Sequence, residues 1–154
     1  MFERDIVTLI HDTLGIDAYP LNVPSAIEPE NSIVYKIVSN LRYYQATLGD
    51  YTLRKRTVRF TLLSKSYLQN VENSNALIAT LDGYSGVVDA TTFTQCRITN
   101  DHDLYNQSQD LHEKTIEVSF ISKSDPEYTY PEITQLSGSY GCQATTNNTI
   151  IIGN

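Results

Sequence analysis

The side chains with chemistry to offer are concentrated in one stretch: Asp101, His102 and Asp103 in a row, with His112 and Glu113 shortly after. Acids beside a histidine are the raw material of a metal site or a general acid–base pair. A metal, however, needs three or four ligands converging at about 2 Å, with further groups holding them in place. These residues fall in what reads as the tip of a hairpin, where neighbouring side chains diverge. A solvated turn is the expectation, and a small hydrolase or metal-binding module using His102 is the alternative. Cys96 takes an inward strand position beside Ile98, which suits a small buried apolar group. His11 lies on the polar side of a helix, and no G-x-S-x-G, glycine-rich phosphate loop or H-E-x-x-H is present. No catalytic, cofactor-binding or metal-ligating residue is assigned, no cofactor is expected, and the chain reads as a non-enzyme.

A second cluster is electrostatic. Arg54, Lys55, Arg56 and Arg59 hold four of the eleven cations in a chain of net charge −7. Arg54 and Arg56 share a strand face with Val58, and Lys55 shares the other with Arg59. Such a run can meet an acidic neighbour in an assembly, meet nucleic acid, or simply be solvated. The overall negative charge favours pairing with the acids of identical subunits over DNA binding.

The elements that carry these residues follow from periodicity. Phe2, Ile6, Leu9, Ile10 and Leu14 recur at helical spacing, with Arg4, Asp5, His11 and Asp12 opposite and Gly15 as a stop, so a helix over 2–14 is expected. Pro20, Pro24 and Pro29 confine any strand in the next segment to a short edge piece over Ile16–Tyr19. SIVYKIVSNLRYY alternates with apolar residues on both sides, which predicts a central strand, and Leu53–Leu63 returns after the LGD turn. Ser66 is a natural cap for a second helix with Tyr67, Val71, Ile78 and Leu81 on one stripe, widened by Leu68 and Leu77 and closed by Gly83. YSGVVDATT reads as a loop, FTQCRIT and LHEKTIEVSFIS as strands, and the polar NDHDLYNQSQD between them as a long tip. The expected fold is α+β: a single mixed, largely antiparallel sheet with two helices on one face, in the order α-β-β-β-α-β-β, plus an extended C-terminal arm. Residues 1–123 form the domain and 124–154 the extension, which has Tyr128, Tyr130 and Tyr140 but little charge and no helical period.

Composition limits the remaining options. A chain of 154 residues suits one domain with a real core. Apolar content of 40% and charged content of 19% leave room for many Thr, Ser, Asn and Gln and eleven Tyr, a residue that suits strands and half-buried interfaces alike. Cys96 and Cys142 lack metal-type spacing and are expected as free thiols in a reducing cytoplasm. MFERDIVTLIHD has no signal-type apolar stretch, and no apolar run approaches the ~20 residues of a membrane span, so a soluble protein made inside a cell, with no membrane partner, is expected.

The helix FERDIVTLIHDTLGI, the proline-bounded AYPLNVP, the strand SIVYKIVSN, the unit VRFTLLSKSYLQNVENSNALIATLDG and the late DHDLYNQSQDLHEKTIEVSFIS together resemble the tail completion or tail terminator family of long-tailed bacteriophages. The match covers about residues 2–122 and consists of element order and hydrophobic pattern. The resemblance implies a virion protein of the tail and neck. It would form a homo-oligomeric ring, a hexamer in that family, that caps the tail tube, ends its growth and joins tail to head. Implied partners are other copies of the chain, the tail tube protein and a head-side neck or connector protein, with DNA at most passing through the lumen. Arg54, Lys55, Arg56, Arg59, Tyr128, Tyr130 and Tyr140 are the candidate subunit or partner contacts. A head-completion or stopper protein is the nearest alternative, although such proteins are more often helical or small barrels.

Overall fold

The computed structural model describes residues 1–44 and 52–124. Its elements are α1 (Phe2–Leu14), β1 (Ala18–Pro20), β2 (Ser32–Tyr44), β3 (Thr52–Ser64), α2 (Tyr67–Leu81), β4 (Gly86–Val88), β5 (Thr91–Asn106) and β6 (Leu111–Ser124). The six strands make one sheet in the order β1-β2-β3-β6-β5-β4, antiparallel except for the β1–β2 pair. This is the expected α+β architecture with one strand more than expected.

Alternation decides which face of the sheet is covered. Val58, Phe60 and Leu62 of β3 and Ile116, Val118 and Phe120 of β6 point to one side, where Phe2, Ile6 and Ile10 of α1 and Leu77 and Leu81 of α2 complete the core. Phe60, Phe93 and Phe120 are linked edge-on or tilted, with Phe2 against Phe93 and Phe120. Gly15 ends α1 at φ 67°, its N–H donating to the His11 carbonyl at 2.8 Å, a left-handed position that glycine takes without strain.

Several local expectations are corrected. The first strand is Ala18–Pro20, so a proline is part of it; β1 pairs with β2 on one side only and tolerates a missing donor there. SIVYKIVSNLRYY is second from the edge, and the long central strands are β3 and β6. Ile33 of β2 is buried, whereas Lys36 and Val38 on its other side are exposed. Gly86–Val88, within the segment read as a loop, pairs with Thr91–Phe93. Asp5, assigned to the polar side of α1, is fully buried because Thr91 Oγ1 donates to its carboxylate at 2.6 Å, with Arg4 Nε 3.6 Å away.

The buried seam of α2 is also displaced. Tyr67 and Leu68 are 53% and 71% exposed, while Leu77 and Leu81 of the expected stripe are buried and are joined there by Asn70 and Ser74. The two polar residues in that seam each have a bond: Ser74 Oγ donates to the Val71 carbonyl at 2.8 Å and Asn70 Nδ2 to the His112 carbonyl at 3.0 Å. Ser66 caps the helix as expected, accepting from the Gln69 N–H.

Candidate functional site

The long strands give the sheet two chemically different ends. One end carries the last residues of β2, the first of β3 and the last of β6, in register: Arg42 opposite Arg54, Leu41 opposite Lys55, Lys55 opposite Ile121 and Leu53 opposite Lys123. Like charges directly opposite one another on a sheet are destabilising, so Arg42 and Arg54 repel within the chain. Among the described residues Arg42, Arg54 and Lys55 form no ion pair.

The four cations singled out from the sequence meet different fates. Arg54 and Lys55 are half-buried at this end. Arg56 is only 5% exposed: its guanidinium lies 4.0 Å from the Phe2 ring centre and Nη1 donates to Ser122 Oγ at 3.3 Å. It packs inside the domain and offers almost no surface. Arg59 is exposed but bonded within the chain, its Nε and Nη2 donating to Glu117 Oε1 at 2.9 and 2.7 Å across the β3–β6 register. Tyr128, Tyr130 and Tyr140 lie outside the described residues, as does Cys142.

The other end carries the β5–β6 hairpin. The stretch read as a long tip is strand through Asn106, paired residue by residue with Leu111–Glu117, so the turn is Gln107–Asp110. Strand geometry then decides the fate of the Asp-His-Asp triplet, since successive side chains go to opposite faces. Asp101 and Asp103 share a face, and Lys114 Nζ bridges them at 3.1 Å each. Burial pulls the Lys114 ammonium down, but the bonds to Asp101 and Asp103 outweigh it and hold its pKa above the usual lysine value. His102 points the other way, so the three do not converge. Among the described residues no three His, Cys, Asp or Glu side chains are gathered as metal ligands.

Beside this ion triplet runs a groove of about 310 Å³ between the first turns of α2 and the hairpin. Tyr67, Asn70 and Val71 form one wall, and Asp103, Tyr105, His112 and Lys114 the other. The His112 ring lies 4.9 Å from Tyr105 and 5.6 Å from Tyr67, centre to centre. The Tyr105 hydroxyl donates to Asp110 Oδ1 at 2.6 Å, and that bond, followed by burial and the carboxylate's charge, raises its pKa. Asn70 is 3% exposed, and its Oδ1 has no hydrogen-bond partner. This groove has no local signature in the sequence, where Tyr67 reads as part of the apolar stripe of the helix. A buried asparagine in an apolar seam is the signal that could have found it.

These features define an α+β domain with one covered sheet face, a cationic end and an anionic, grooved end. A chain from the virion of a native gene transfer agent (GTA) particle shares the fold, with a TM-score of 0.58 and 8% identity over 75% of this chain and 84% of that one. At that identity the likeness is one of fold. No family model and no curated protein matches the chain. Among the described residues no helix is long and apolar enough to cross a membrane.

Proposed function

We propose that this protein is a structural subunit of a phage-type virion that builds a ring at the head-proximal end of the tail tube. The ring stops tube growth and presents the surface to which the head's neck proteins attach. The observation that supports this reading is the fold, which resembles a virion chain across 84% of that chain's length. The element order that suggested a tail terminator from sequence accompanies it. The surface is consistent with assembly: Val38, Leu41, Val87, Leu104 and Tyr105 are exposed, and the two ends of the sheet are complementary in charge. Partners are further copies of the chain, in a hexamer by resemblance to the family, together with the tube protein and a neck protein. DNA at most passes through the lumen, and the protein performs no catalysis. The segment 124–154, with Tyr128, Tyr130 and Tyr140, acts as an arm to a neighbouring subunit.

The decisive experiment is electron microscopy of particles produced without this protein. Tubes of uncontrolled length, or finished tails unable to join heads, are expected; normal tails joined to heads would remove the proposal. Deleting residues 125–154 is expected to weaken the ring in light scattering, and an unchanged mass would refute the arm.

A further inference from the structure

We infer that the groove between α2 and the β5–β6 hairpin is a receptor for an arginine side chain, supplied by the opposite end of a second copy of this chain. The inference rests on the ring reading above and specifies the contact that would hold it together.

The groove's chemistry asks for a donor with a flat, apolar stem. Asn70 Oδ1 is a buried acceptor without a partner, and its own amide nitrogen is committed to the His112 carbonyl, so the vacant function is acceptance. Leaving such a group unsatisfied is costly, and a guanidinium carries five N–H donors to fill it. Tyr67, His112 and Tyr105 supply aromatic surface for the guanidinium plane and its methylenes. Asp101 and Asp103 share only one cation, Lys114, which leaves the wall with unspent negative charge. Asp110 adds to it at the hairpin turn.

The source of the arginine follows from where the chain concentrates its positive charge. Residues 45–51 and 125–154 contain no Lys or Arg, so no segment outside the described residues can supply the cation. Arg56 is interior, while Arg59 and Lys65 are already paired with Glu117 and with Glu28 and Glu30. Arg4 is paired with Asp5 and Asp89, and Arg97 is a single charge opposite Ser119, whereas Arg42 and Arg54 are held opposite each other as two like charges in one place. They lie toward the far end of the sheet, eight to ten residues along β6 from Lys114 and His112 and so about 30 Å away, beyond reach of their own groove. This pair can enter only the groove of another copy, and the contact is then head-to-tail. A head-to-tail contact closes into a ring or runs on as a filament, according to the rotation per subunit.

Charge reversal tests this with the full chain. Arg54→Glu replaces a repulsive pair with an attractive one beside Arg42, so it is expected to fold. It is also expected to lower the association constant by at least about tenfold in sedimentation velocity. Asp103→Arg, reversing the receiving end, is expected to do the same. Each variant alone should remain dissociated, whereas an equimolar mixture regains association because each reversed end then meets an opposite one. Undiminished association of Arg54→Glu, or no recovery on mixing, overturns the inference. If Asp103→Arg alone dissociates the protein while Arg54→Glu does not, the cation comes from elsewhere and the second-copy assignment is wrong. If both variants assemble like the wild type, the groove contact fails and the ring stands. If the wild type is itself monomeric at high concentration, the ring reading falls together with the groove contact.

Discussion

Cys96 has no exposed surface, and burial pushes its thiol from 9.0 up to about 12. The unfolded chain gives up this proton near pH 9.0 and the folded chain holds it to about 12. Folded protein therefore binds the proton more tightly, and the contribution to stability is lost as pH rises through that window, by about 1.4 kcal/mol per pH unit. Tyr35, raised by burial and by Glu3, acts in the same direction, so the slope must be compared with that of Cys96→Ala. Iodoacetamide at about pH 8 is expected to leave Cys96 unlabelled in the folded protein and to label it in urea, since only the thiolate reacts. Peptide mass mapping reads the result, and rapid native labelling would contradict this burial. The burial of Cys96 was legible because Ile98 lies two positions away on the same strand face. That of Asp5 was not: its anchor, Thr91, is 86 residues distant, and no local pattern announces such a partner.

Elements were legible to the extent that their causes are local. The second helix begins where a serine can accept from the third residue on, and Ser66 Oγ does so from the Gln69 N–H at 3.3 Å. Ser66→Ala is expected to cost about 1 kcal/mol in urea denaturation, with Ser66→Asp close to wild type. A loss of less than a few tenths would show that solvent satisfies that N–H equally well. The inward face of the same helix holds Leu77 and Leu81 as its spacing predicts, but its first turn differs, because Asn70 is drawn in by a carbonyl 42 residues away. Likewise the polar run DHDLYN has the composition of a turn and becomes strand only because β6 offers it a continuous register from Leu111 onward. The short β4 went unread for the same reason: three residues become a strand only through Thr91–Phe93.

At the scale of the whole molecule, a net charge of −7 conceals a cationic end, and the head-to-tail contact depends on that separation. Screening acts over about 10 Å at 0.1 M salt and about 3 Å at 1 M, so the mass measured by light scattering is expected to fall across that range. Salt-independent assembly would mean that apolar contacts hold the subunits together without these charges. Total charge was legible from composition, but its separation was not, because it depends on the strand register that brings Arg42 beside Arg54. The central position of β3 and β6 also carries a consequence for how the chain comes to its fold. The β2–β3 and β5–β6 hairpins can each form from residues near in sequence, but the seam between them joins Arg54 to Ser122. Closing so long a loop is entropically slow, and it precedes completion of the core. On the ribosome, Val58, Phe60 and the apolar side of α1 must therefore wait for the last strand to emerge, and a chain released before Leu111 would leave that surface without its cover.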